Sequence, residues 1–328
     1  MKISFFGILG EILSSSGFAG FFDDPRQFIM IVIGCVLLYM GIKKKYEPLL
    51  LVPIAIGVLF ANFPATGILN PPDPSSHTVG FMWVLYQGVQ YAVYPSIIFM
   101  GIGAMTDFGP LISRPTSLLL GAAAQFGIFS AFLLALVLGF DPNAAAAIGV
   151  IGGADGPTSI LVASRLAPEY LPAIAIAAYS YMALIPMIQP PLMKLVTTEK
   201  ERKIKMEQLR EVSKIEKIIF PIVVMIFVVL LIPDTAPLIG MLMLGNLFKE
   251  CMVTDRLSDT AQNALMNIVT IALGLSVGCK ATAATFLSIE TIKIIFLGLG
   301  AFMLSTLGGL LFGKIMCKLS HGKINPLI

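Results

Sequence analysis

Charge is scarce in this sequence. Only 12% of the 328 residues are Asp, Glu, Lys or Arg, while 57% are hydrophobic; a soluble globular domain carries about 25% charged residues. That deficit excludes a soluble globular chain. Histidine is nearly absent, His77 and His321 being the two, so metal or proton chemistry built on imidazole clusters is excluded. The four cysteines, Cys35, Cys251, Cys279 and Cys317, form no CxxC pair, which leaves neither a disulfide framework nor a zinc site. No GxxxxGK[ST] phosphate loop is present, and the near miss GIGAMT at 101–106 follows no soluble strand. It reads as close helix packing through small residues. The one basic cluster lacks the interleaved aromatics of a single-stranded nucleic-acid surface.

What fills the chain instead is apolar. Apolar segments fall at 26–42, 48–62, 80–105, 115–140, 143–164, 171–193, 218–232, 236–249, 262–279 and 294–313, and many reach the roughly 17–25 residues that a bilayer crossing needs. The fold class is an all-α polytopic membrane protein. The opening stretch MKISFFGILGEILSSSGFAGFF lacks the clean apolar core and small-residue cleavage site of a signal peptide. Residues 1–24 read as an interfacial amphipathic helix.

Orientation follows from the basic residues. Eight of the 22 Lys and Arg lie between Lys194 and Lys217, among five glutamates, and such a cluster marks the cytoplasmic side. Lys43, Lys44 and Lys45 put the loop after the first span inside. The Lys- and Arg-free loop 63–79 lies outside, Arg114 inside, and the FDPN turn at 140–143 outside. If 143–164 then crossed completely and 171–193 crossed back, the linker 194–217 would face outside, against the positive-inside bias. Parity is restored when 143–164 dips in and returns as a re-entrant pair of half-helices with GGADGP at its tip. Irregular backbone at that depth persists only within protein or along a cavity, so the tip marks a site.

The pattern recurs after the linker. PLLLVPIAIGVLFANF (48–63) resembles APLIGMLMLGNLFKE (236–250), and IIFMGIGAMTDFGPLI (97–112) resembles VTIALGLSVGCKATAATFL (269–287). The signs run these copies through the membrane in opposite directions. Inverted repeats of this kind mark secondary transporters, whose sites lie near the midplane on broken helices. The predicted organisation is a first inverted repeat at 25–193, a charged cytoplasmic linker at 194–217 forming a solvated helix, and a second repeat at 218–328. From Gly101 to Asp155 is 54 residues, and the same step from Gly274 reaches position 328. The second repeat is therefore expected to be truncated, short of its own re-entrant segment by about 45 residues.

Asp155 is the acid of the tip. A lone carboxylate at bilayer depth costs about 2.5–3.5 kcal/mol on insertion scales and needs a partner. Na⁺ or H⁺ would supply one, with glycines such as Gly153 letting carbonyls approach an ion. Pro157 would start the second half-helix and present the hydroxyls of Thr158 and Ser159. The alternative is that Asp155 only caps that half-helix. Tyr179, Ser180, Tyr181 and Gln189 interrupt the apolar stretch 177–191, as functional hydroxyls or as an interfacial aromatic belt. Asn246 and Asn325 are polar residues at or near apolar depth that read equally as helix caps. Asp107 reads as a cap at the cytoplasmic end of its span.

Taken in order, these motifs resemble the beta subunit of the biotin-dependent, sodium-translocating decarboxylases, which comprise the oxaloacetate, methylmalonyl-CoA and glutaconyl-CoA enzymes. The likeness covers essentially the whole chain, through YEPLLLVPI (46–54), GIGAMTDFGPL (101–111), GAAAQFGIF (121–129), IGGADGPTSI (151–160), AYSYMALIPMIQPP (178–191) and INPLI (324–328). The resemblance implies that Asp155 is the essential sodium-site acid, that Tyr181 is a sodium-linked proton donor, and that Asn325 belongs to the same site. With Gly153 and Thr158 these are the candidate sodium ligands. The family pattern continues past INPLI with a glycine, a serine and an arginine that are not in this sequence.

The implied function is the membrane subunit of a sodium pump that couples decarboxylation of carboxybiotin to Na⁺ export. Its cofactors would be Na⁺ and biotin, the latter borne by a separate carrier. Its implied partners are a carboxyltransferase subunit, a biotin carrier protein and a small membrane subunit, around a homo-oligomeric sector in a bacterial or archaeal inner membrane. A stand-alone sodium-coupled carrier of carboxylates fits the repeats and broken helices equally well. A purely structural anchor does not, because an anchor has no use for a buried acid.

Overall fold

Helices carry the architecture. The computed structural model of the protein describes residues 16–75, 78–206 and 210–328, and among them the only β pairing is a single bridge between Asp73 and Thr78. The principal helices are α1 (Gly17–Asp23), α2 (Arg26–Ile42), α3 (Pro48–Asn62), α4 (Phe81–Gln90), α5 (Val93–Met105), α6 (Leu118–Val137) and α7 (Pro142–Val150). After these come α8 (Gly156–Leu166), α9 (Leu171–Val196), α10 (Lys214–Leu231), α11 (Ala236–Glu250), α12 (Asp255–Gly278) and α13 (Ile289–Leu319). Most of the expected interfacial segment, residues 1–15, lies outside the described residues, as does His77.

Among the described residues three helices are long and apolar enough to cross a membrane. They are α6, lengthened to 23 residues by a turn from Pro115, the 24-residue α12 and the 31-residue α13. The pairs α1–α2 and α4–α5 meet the same test together but bend by 115° and 61°. The segment 80–105 is therefore not the continuous span its hydropathy suggests. It breaks at Ala92, which is left-handed at φ 59°, and Pro95, whose missing N–H is tolerated in a first turn, helps restart α5. Large side chains such as Phe22, Leu133 and Val137 stand largely exposed. So much open apolar surface would be a liability in water and is ordinary against lipid.

The core centres on α9. Every residue from Leu171 to Tyr179 is buried, and a helix apolar all round needs protein on every side. Two close crossings join other helices. In one, α5 meets α11: a Cβ added at Gly103 would fall 1.8 Å from the Leu242 carbonyl oxygen, and one at Gly245 would fall 1.8 Å from that of Met100. In the other, α3 meets α12, with a Cβ at Gly57 falling 2.4 Å from the Leu275 oxygen and one at Gly278 falling 2.0 Å from that of Ile54. Asparagines close both crossings. Buried Asn62 donates to the Ala281 carbonyl at 2.8 Å and accepts from the Ala283 N–H at 2.9 Å. Asn246 donates to the carbonyls of Gly103 and Thr106 at 3.2 and 3.0 Å, satisfying orphan groups at the end of α5. Of the two readings of Asn246, the structure shows the cap.

The linker 194–217 is not the helix expected of it. Helix α9 runs on to Val196, a four-residue turn follows at Glu199–Arg202, and α10 begins only at Lys214. Two capping boxes set these starts, Thr198 with Glu201 and Ser213 with Glu216, and the described residues between, 203–206 and 210–212, form no helix. Arg210 and the Ser213 cap hold the exposed Glu216 carboxyl down at about 2, against an ordinary 4.5. A lowered carboxyl stabilises above its unfolded value and loses that contribution as pH falls toward its folded one. Amide exchange in the first turn of α10, corrected for intrinsic rate, is therefore expected to stay level down to about pH 5 and to accelerate below about pH 4. Glu216→Gln should remove the step; the same step in the variant would exclude Glu216 as its source.

Candidate functional site

The GGADGP segment forms the tip of a hairpin. Asp141 caps α7, accepting from the N–H groups of Asn143 and Ala144 at 2.9 and 3.2 Å, with Pro142 at the first helical position. Ala144, Ala145, Ala147 and Ile148 are fully buried, so small side chains let α7 sink into the core. Helices α7 and α8 have 9 and 11 residues, and end to end they would span about 30 Å at 1.5 Å per residue. Yet the rings of Phe140 before α7 and Tyr170 after α8 meet edge to face, with centroids 5.6 Å apart. The chain turns back on itself between them.

The turn is written in its residues. Gly152 and Gly153 weaken the helix, leaving a 3₁₀ turn over Ile151–Gly153, after which Ala154 is left-handed at φ 53°. Asp155 is extended, and Pro157 occupies the second position of α8, where its missing N–H costs little. Gly152 is wedged against Gly127 of α6 and Ala301 of α13, while Gly153 is exposed.

Asp155 is half-buried in the N-cap position of α8, but its side chain makes no capping bond to the helix backbone. It accepts from the Thr158 hydroxyl, and the Ser159 hydroxyl donates to the Asp155 carbonyl at 2.9 Å. The carboxylate and the Thr158 oxygen thus share one corner of the tip. Among the described residues no group of three His, Cys, Asp or Glu side chains gathers to hold a metal. What the tip offers is one negative charge and neutral oxygens, a donor set for a hard monovalent cation.

The other sequence-derived candidates lie elsewhere. Tyr181 is buried and donates to the Ile295 carbonyl of α13, its ring beside Gly298. Asn325 donates to the linker carbonyls of Arg202 and Ile204 at 3.2 and 3.0 Å and accepts from the Leu327 N–H at 2.9 Å. The tyrosine against the tip is Tyr179, whose ring packs on Gly156. Helical geometry carried that signal, because residues two apart point about 200° from one another and only one of the two tyrosines can face Asp155. Asp107 accepts from the Gly109 N–H at 2.9 Å and pairs with Lys217 at 3.3 Å, which together lower its carboxyl. It ties the turn after α5 to the start of α10.

Comparison with known proteins bears on this arrangement. Residues 26–328 match the family model described as the Na⁺-transporting oxaloacetate decarboxylase beta subunit. The chain is 57% identical over 320 residues to the glutaconyl-CoA decarboxylase subunit beta of Acidaminococcus fermentans, covering 98% of this chain and 83% of that one. It is 56% identical over 318 residues to the methylmalonyl-CoA decarboxylase subunit beta of Veillonella parvula, covering 97% and 82%. It is 48% identical over 357 residues to the oxaloacetate decarboxylase beta chain of Klebsiella pneumoniae, covering 92% and 82%. A match of this length, on a membrane protein whose hairpin tip carries a single acid, leaves one assignment: the chain belongs to the Na⁺-transporting oxaloacetate decarboxylase beta-subunit family.

Proposed function

We propose that this chain is the membrane subunit of a sodium pump in which decarboxylation of carboxybiotin drives Na⁺ out of the cell. The observation that carries the reading is Asp155, a single half-buried carboxylate at the tip of a broken-helix hairpin, bonded to Thr158 and, among the described residues, to no cation. Sodium is the cargo, and Asp155, the Thr158 hydroxyl and the backbone near Gly153 are its proposed ligands, with Asn325 assigned to the site by family likeness.

The architecture proposed around it is a pair of inverted repeats, 25–193 and 218–328, joined by the cytoplasmic linker 194–217. Two observations support it. The α5–α11 and α3–α12 crossings repeat one pattern, each with a glycine on both helices against a facing carbonyl. The Phe140–Tyr170 contact supports a re-entrant hairpin, entering and leaving on one side.

When bound, carboxybiotin supplies the free energy by losing CO₂, a reaction that consumes one proton. It would arrive on a carrier protein, in a complex that also includes a carboxyltransferase subunit and a small membrane subunit, and no described side chain is assigned to it. This chain's part is to hold a sodium ion at Asp155 and a proton on the Tyr181 hydroxyl. A cation arriving nearby favours phenolate and releases that proton.

The test is ²²Na⁺ uptake into proteoliposomes bearing the assembled complex. Uptake should require decarboxylation and stop in Tyr181→Phe, with the variant subunit still inserted and assembled. Carboxylate-dependent uptake without decarboxylation would replace this reading with that of a stand-alone carrier.

A further inference from the structure

We propose that the hydroxyl oxygen of Tyr179 is a direct ligand of the monovalent cation held at Asp155. This rests on the reading of Asp155 as a sodium site and adds a residue to it. Tyr179 is 7% exposed, and among the described residues its hydroxyl has no hydrogen-bond partner. A buried phenol ordinarily finds one, so an orphaned hydroxyl in the core calls for a ligand.

Position gives the orphan its meaning. A Cβ on Gly156 would lie 2.3 Å from Cε1 of the Tyr179 ring and 2.9 Å from its oxygen. Only glycine there lets the phenol lie against the first residue of α8, directly after Asp155. Asp155 is the residue immediately before that contact, at the N-cap of α8. Asp155 takes its hydrogen bond from Thr158, and the phenol oxygen, packed on the next residue, keeps its lone pairs to give. A cation between the two oxygens would satisfy both. With one carboxylate in the hairpin tip and no cluster of three metal-binding side chains among the described residues, the charge count selects a monovalent ion.

The experiment measures ²²Na⁺ equilibrium binding, Li⁺ competition and melting temperature on the full-length protein. Tyr179→Phe keeps the ring and removes only the oxygen. It should raise the sodium dissociation constant at least about tenfold and change the ratio of Li⁺ to Na⁺ affinity, at an unchanged melting temperature. Gly156→Ala, which forces the ring away with its hydroxyl intact, should reproduce the loss of affinity. Asp155→Asn is measured alongside. Unchanged affinity and selectivity in Tyr179→Phe, with binding lost in Asp155→Asn, would overturn the inference and leave the sodium site standing. Binding intact in Asp155→Asn would overturn the reading beneath it.

Discussion

Asp155→Asn is expected to weaken Na⁺ binding at least a hundredfold, about 2.7 kcal/mol, and to stop sodium-coupled turnover. Between Asp141 and Glu169 it is the only carboxylate, so the substitution removes the whole formal charge of the hairpin tip and keeps its shape. A unit charge and a cation 4 Å apart attract by roughly 4 kcal/mol at an effective dielectric of 20, and closer approach gives more. Desolvation of the ion offsets part of that, which sets the hundredfold floor. The Thr158 hydroxyl still has an acceptor in the variant, so melting temperature should change little. Equilibrium binding of ²²Na⁺ to wild type and variant decides it. Equal binding would reduce Asp155 to the start of α8, and the sodium pump would then stand on family membership alone.

The largest structural effect is expected at the α5–α11 crossing. Gly245→Ala would put a methyl group 1.8 Å from the Met100 oxygen, and Gly103→Ala would do the same against Leu242. Both contacts are with helix backbone, which cannot swing aside like a flexible side chain. The helices would have to separate, losing the close packing that small residues provide where lipid supplies no hydrophobic drive. Each variant should lose about 2–3 kcal/mol or more, a fall of several degrees in melting temperature, with Asn246 drawn off the carbonyls of Gly103 and Thr106. Gly240→Ala on the same helix is the control, since nothing lies within 4 Å of its added Cβ, and it should be neutral or stabilising by up to about 1 kcal/mol. Equal stability in Gly245→Ala and Gly240→Ala would mean that the crossing does not hold the halves together.

Much of the architecture is legible in local chemistry. Hydropathy places α2 and α3 at their observed residues, and the glycine–proline run at 152–157 predicts the break between α7 and α8. The capping boxes at Thr198 and Ser213 were equally legible, and reading them would have prevented the expectation of a continuous linker helix. The bend at Ala92 was not, because no glycine or proline stands at the left-handed residue itself.

By itself the sequence determined the class and the family, and it singled out Asp155 as a candidate. Composition sets the solvent of a chain, and an acid beside paired glycines is a local feature that needs no neighbour to be recognised. Only the tertiary structure decided which of the candidate side chains meet. It put Tyr179 rather than Tyr181 against the tip, tied Asn325 to the linker, and brought Phe140 to Tyr170. Such outcomes depend on how segments pack in three dimensions, with Tyr181 meeting Ile295 and Asn325 meeting Arg202 across more than a hundred positions, beyond the reach of any local pattern.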